Sequence, residues 1–164
     1  MVSQSVWSRL SGQLDAVAAV LADAPEQAIR ARGTEGTWSA HDHIAHLARM
    51  HEVTLDRLRR ILREDGPRLP EYRSEEDAEW PMWAALPTRE VLTRLQALRS
   101  ELLGVVRSLS DAQLRRRATH STLGPLAVAG WLEAFCLHEG HHLHIAWIRQ
   151  AEAQRAARGT STRT

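Results

Sequence analysis

The sequence predicts an all-α protein, a four-helix bundle with a long connection between its second and third helices. Three observations carry that expectation. Strong helix formers, above all Ala, Leu, Arg, Glu and Gln, dominate the chain. Apolar residues recur at spacings of three and four over four long stretches, and no strand-like alternation of any length interrupts them. At 164 residues, a single domain over residues 1–156 can bury a core without disulfides, and residues 157–164 read as a flexible C-terminal tail.

The first helix is expected from Ser3 to Asp23, with Val6, Leu10, Leu14, Val17 and Leu21 on one stripe and Pro25 beyond its end. The loop ARGTEGTWS leads to Ser39, which can cap the second helix. Asp42, three residues on, suits a reciprocal cap and the positive helix end. That helix runs through HDHIAHLARMHEVTLDRLRRIL, with Ile44, Leu47, His51, Leu55, Leu58 and Leu62 on one face, and stops at Gly66 and Pro67. The connection from Pro67 to Pro87 is rich in Pro, acid and Trp, with a short helical piece expected around Glu75 to Trp80. Its length exceeds that of a helix hairpin, so it should cross the bundle, cover a pocket as a lid, or both. A third helix starts near Thr88 with the stripe Val91, Leu95, Leu98, Leu102, Val105 and Leu109, followed by a short turn, DAQLRRR. After the loop ATHSTLG, Pro125 suits the first turn of a fourth helix that continues to about Ala156.

Composition narrows the function. With 21 Lys+Arg against 20 Asp+Glu, nothing marks a dedicated nucleic-acid surface. The single cysteine, Cys136, lies between Phe135 and Leu137, which fits a small buried residue in a reducing compartment better than a nucleophile. The N-terminal stretch lacks the features of a signal peptide and no segment is apolar enough to span a membrane, so a cytoplasmic protein is expected.

Chemistry concentrates in the histidines. The fourth helix carries HEGHH at 138–142, and its inward stripe is expected to run Val128, Trp131, Phe135, His138, His142, Ile145. Two histidines at i, i+4 on an apolar seam are costly unless their nitrogens find partners, and their spacing is what two ligands of a single metal require. On the second helix, His46 and His51 are both candidates for a third ligand by helical phase, and phase alone does not choose between them. HEGHH also matches the zinc-protease signature, but Ile148 stands where the extended form of that signature places its third histidine, and no strands are evident. No phosphate-binding loop or dinucleotide fingerprint is present.

TWSAHDHIAHLARMHEVTLDRL, ATHSTLGPL and FCLHEGHHLHI, in that order, resemble the successive motifs of the DinB/YfiT-like superfamily over most of the chain. The resemblance implies a bundle of unusual topology, commonly homodimeric, and a metal triad of His46, His138 and His142. It places Glu139 at an acidic position that is not a protease general base. It also implies a thiol S-transferase-like enzyme, in which the metal presents a low-molecular-weight thiol to a small electrophilic substrate. A metal-dependent hydrolase, or a non-catalytic metal-binding or dimerisation module of a stress response, are the alternatives. Imidazole ligands suit zinc, nickel, iron or manganese alike. Glu139, His141, Arg57 and Trp38 are candidates for supporting or lining the site, whereas His41, His43, His51, His120 and His144 receive no role.

Overall fold

A computed structural model describes residues 1–21, 24–33 and 37–161. The chain forms α1 (Gln4–Gly12), a 3-10 turn (Gln13–Asp15), α2 (Ala16–Leu21), α3 (Glu26–Ile29), α4 (Ala40–Arg63), β1 (Arg68–Leu69), a second 3-10 turn (Ser74–Glu76), α5 (Trp80–Ala85), α6 (Thr88–Ser108), α7 (Asp111–Arg115), β2 (Arg117–His120), β3 (Gly124–Ala127) and α8 (Val128–Ser161). The four-helix bundle is built from the α1–α2 segment, α4, α6 and α8, with α4 packed on both α6 and α8.

The first expected helix is broken. Gly12 (φ −129, ψ −11) leads into the 3-10 turn, and the change of winding rotates the second half so that Val17 and Val20 are buried while Leu14 and Leu21 are only partly so. The end of that expected helix, residues 22 and 23, lies outside the described residues. The start of α4 is as expected: the Ser39 hydroxyl accepts from Asp42 N (3.1 Å) and Asp42 Oδ2 accepts from Ser39 N (2.9 Å), a complete capping box. At the other end, Arg116 donates to the carbonyls of Ile61 (2.7 Å) and Glu64 (2.5 Å), satisfying acceptors that the helix leaves open.

The expectation of a purely helical chain fails in one place. ATHSTLGPLA folds as a hairpin, with β2 antiparallel to β3 and β1 added parallel to β2, giving a sheet in the order β1-β2-β3. Gly124 sits at φ 74 where the hairpin turns, a backbone region that glycine enters without a Cβ clash. Pro125 is therefore a strand residue opposite Thr119, not the first turn of α8. At its far end α8 runs to Ser161, into the stretch expected as a tail, and residues 162–164 lie outside the described residues.

The core has two apolar layers. One gathers Val6, Leu10, Leu55, Leu58, Leu102, Leu132 and Phe135; the other gathers Val17, Ile44, Leu47, Trp83, Val91, Leu95 and Leu143. In sequence, the buried Arg99 of α6 and Glu139 of α8 fall between the members of these two layers, and the buried His51 of α4 directly follows Met50 of the first. Arg99 and Glu139 form a buried ion pair, Arg99 also donates to the Leu10 carbonyl (3.0 Å), and His51 Nε2 stands 3.6 Å from Glu139.

Candidate metal centre

The expected stripe of α8 is buried at Val128, Trp131 and Phe135, with Leu132 and Cys136 beside it; beyond Phe135 the buried seam continues through Glu139, Leu143, Ala146 and Gln150, one residue out of phase with His138 and His142. His138 and His142 flank that seam and are half-buried, facing α4 across the space that His46 fills. One nitrogen from each of His46, His138 and His142 lies within 4.8 Å of the others. His51, the alternative third residue, is instead sealed in the core, its Nδ1 donating to the Leu47 carbonyl (2.7 Å).

The remaining nitrogens of two of these rings are held from outside. His46 Nδ1 meets the buried Ser74 hydroxyl at 3.2 Å, and His142 Nδ1 meets His43 Nδ1 at 2.9 Å, so both Nε2 atoms are left to the centre. His46 Nε2 and His138 Nε2 are 3.0 Å apart. Two imidazole nitrogens at such a distance share either a proton or a cation. Two nitrogen ligands of a tetrahedral zinc would stand about 3.3 Å apart, close to the separation found.

Electrostatics favours lone pairs at this spot. Burial, then the neighbouring His138 and His43, lowers His46 to about 3; burial, His141 and Arg57 lower His138 to about 4; burial and the surrounding histidines lower His142 to about 2. His43 is lowered to about 4 and His51 to about 3, again by burial first. The centre is therefore uncharged at neutral pH and rich in nitrogen donors for a cation.

These shifts make acid lability an expected property. A histidine whose folded pKa is depressed contributes stability that is intact above its unfolded value near 6.5 and is lost as pH falls toward the folded value. Each proton withheld costs about 1.4 kcal/mol per pH unit over that range. Glu139, pushed up to about 7 by burial despite Arg99, acts in the opposite sense, because its stability contribution is lost as pH rises toward 7. Several histidines outweigh one carboxylate, so the melting temperature of metal-free protein should fall steadily from pH 6.5 to 4.5. A flat profile over that range would refute the buried, neutral assignment.

Aromatic rings close the centre. Trp38 stacks on Trp80 (4.9 Å between centroids) and lies 5.1 Å from His46 and 5.3 Å from His43. The connection between α4 and α6 thus covers the site through Trp80 and Tyr72. Trp83 does not take part: it is 1% exposed, packs in the core and donates to Glu52 (3.1 Å). Tyr72 lies 5.6 Å from His46 and donates to Asp77 (2.8 Å).

Beside His138 opens a cavity of about 280 Å³, walled by Met50, Leu58, Ile61, Leu123, Trp131 and Phe135 and including Arg57, Tyr72 and His120. Of the supporting residues expected, Trp38 walls the centre and Arg57 lines the cavity. His141 is exposed, touching only the edge of the His142 ring at 5.3 Å. Glu139 points into the core and not toward the histidines, so HEGHH supplies two imidazoles and no base. Sequence reasoning passed over His43 and Ser74. His43 could have been found, since it sits three residues before His46 on the same helical face, but nothing local marks Ser74. His41, also unassigned, ties α4 to Thr88 (2.8 Å) and Ala84 (3.1 Å). Cys136 is buried and raised to about 11 by desolvation, as expected for an inert thiol.

Known proteins share this architecture. YfiT from Bacillus subtilis, described as a "probable metal-dependent hydrolase with an unusual four-helix bundle topology", superposes with a TM-score of 0.75 at 19% identity, covering 96% of this chain and 90% of that one. The four-helix bundle protein TT2238 superposes with a TM-score of 0.63 at 28% identity, over 87% of this chain and 94% of that one. A protein of Oceanobacillus iheyensis named "Putative metal-dependent hydrolase OB0413" is 27% identical over 112 residues, 68% of this chain. A similarly named protein of Bacillus mycoides is 26% identical over 116 residues, 70% of this chain. The matched stretches span 64% and 66% of those two relatives. Residues 9–146, which hold all three converging histidines and every element from α4 to β3, match the profile of the DinB superfamily, and the chain belongs to that superfamily.

Proposed function

We propose that this protein is a metal-dependent enzyme of hydrolytic type, with His46, His138 and His142 holding the cation. The observation that carries this reading is the convergence of three neutral imidazoles from α4 and α8 beside a cavity. The names of the curated relatives point the same way. When bound, a divalent cation would supply a Lewis acid able to polarise a substrate oxygen and to acidify a water or a thiol. Ser74 and His43 fix the orientation of two ligand rings, the stacked Trp38 and Trp80 keep bulk water from the centre, and the cavity beside His138 receives the substrate.

A thiol S-transferase-like enzyme uses the same residues, and one observation favours it. Glu139 is turned away from the centre, so the motif supplies no carboxylate to take a proton from water, whereas a thiol needs less help to ionise. The experiment is turnover of an ester and amide panel by zinc- and nickel-loaded protein, with and without a low-molecular-weight thiol. Hydrolysis without thiol is the expected result. Consumption of electrophiles only when thiol is present would replace the hydrolase by the transferase, and a loaded protein inert in both assays would leave a non-catalytic metal-binding module.

A further inference from the structure

The cavity beside His138 has apolar walls and a polar lining in which the donors Arg57, His120 and Trp131 stand with the acid Glu71, Tyr72 and two threonines. Arg57, on α4, lines it with its guanidinium 5.5 Å from the centre of the Trp131 ring. One arm, Nη2, donates to the Pro70 carbonyl at 2.6 Å. No carboxylate among the described residues forms an ion pair with it, and the exposed Asp56 beside it in sequence acts only through its field. A partly buried guanidinium without a paired carboxylate is a ready partner for an anion in the cavity.

Two further donors belong to the same cavity. His120 Nδ1 accepts from the backbone of Thr122 (3.0 Å) and Leu123 (3.2 Å), which places its proton on Nε2. Trp131, 7% exposed, has an indole N–H with no hydrogen-bond partner among the described residues. A buried indole N–H ordinarily finds an acceptor, and this one remains an unpaired donor on a residue of the cavity wall. The acid of the lining, Glu71, is already engaged with Arg73 (3.5 Å).

We infer that this cavity binds a small molecule with an apolar body and a carboxylate, the carboxylate held by Arg57 with the donors of His120 and Trp131 as its neighbours. The inference rests on the proposed function in taking the occupant as the substrate, since His138 belongs to both cavity and centre. Selectivity follows from the lining: an anion gains a charge-assisted bond to the Arg57 guanidinium, whereas a cation of the same shape meets a like charge.

The test is calorimetric titration with phenylacetate, phenylacetamide and phenethylamine, on metal-stripped wild type and on His46→Ala. Removing the metal matters because a carboxylate could otherwise bind the cation. The expected result is phenylacetate binding in both proteins, about tenfold or more tighter than the amide, with no binding of the amine. Arg57→Gln should lose that preference, and Arg57→Lys should keep part of it. Equal binding of acid and amide by the wild type, or no binding of phenylacetate, would overturn the inference without any variant being needed. A failure of metal binding would leave this test standing, so the two readings fall separately.

Discussion

Protein purified without a histidine tag should carry a divalent metal in proportion to chain, and His46→Ala and His138→Ala should each carry essentially none. The reasoning is geometric. The three nitrogens come from two helices and lie within 4.8 Å of one another, so removing either side leaves at most two ligands on one helix or one on each. Two further variants sharpen the result. His141→Ala, at an exposed ring that meets His142 only edge-on, should keep its metal, whereas His43→Ala, which frees the outer nitrogen of His142, should weaken affinity by about 10–100-fold. Metal should also stabilise the fold: at a free concentration a hundredfold above Kd the gain is about 2.7 kcal/mol, a rise in melting temperature of roughly 5–10 °C. Elemental analysis and thermal melts decide the matter. Wild type that stays metal-free after incubation with zinc, nickel and manganese would reduce the cluster to a hydrogen-bonded polar patch.

Much of this architecture is written locally in the chain. The Ser39–Asp42 cap and most of the α4 stripe appear in the structure where the sequence places them; the α6 stripe holds at Val91, Leu95, Leu102 and Leu109, while Arg99 and Val106 are buried in place of Leu98 and Val105. What the sequence hides are the features that tertiary contacts decide. The sheet is made of strands of two to four residues, one of which contains Pro125, too short for alternation to register. Choosing His46 over His51 needs the facing helix, because both have acceptable phase; His51 lies one turn further into the bundle, opposite Phe135 at 4.9 Å. The shift of the α8 seam by one residue beyond Phe135 has a related cause. A glutamate ordinarily sits at a surface, and only Arg99 on another helix makes the burial of Glu139 possible, with the histidines flanking the seam.

That buried pair leads to the second large effect. Arg99→Met should destabilise the protein by about 3–5 kcal/mol, because it strands the Glu139 carboxylate in the core. His51 is a poor substitute, since burial works against its charged form and its Nε2 is 3.6 Å away. The network is already incompletely satisfied: Glu139 Oε2, Arg99 Nε and His51 Nε2 lack hydrogen-bond partners among the described residues. A half-satisfied layer gains little net stability from its Coulomb attraction, so the double variant Arg99→Met, Glu139→Leu should recover most of what the single change loses. Urea denaturation of the two single variants and the double variant, read as a thermodynamic cycle, measures this directly. Metal content separates architecture from site: Glu139 faces away from the centre, so the double variant should bind metal as the wild type does. An Arg99→Met protein within about 1 kcal/mol of wild type would mean that the carboxylate is protonated in the core and that the ion pair contributes little to the fold.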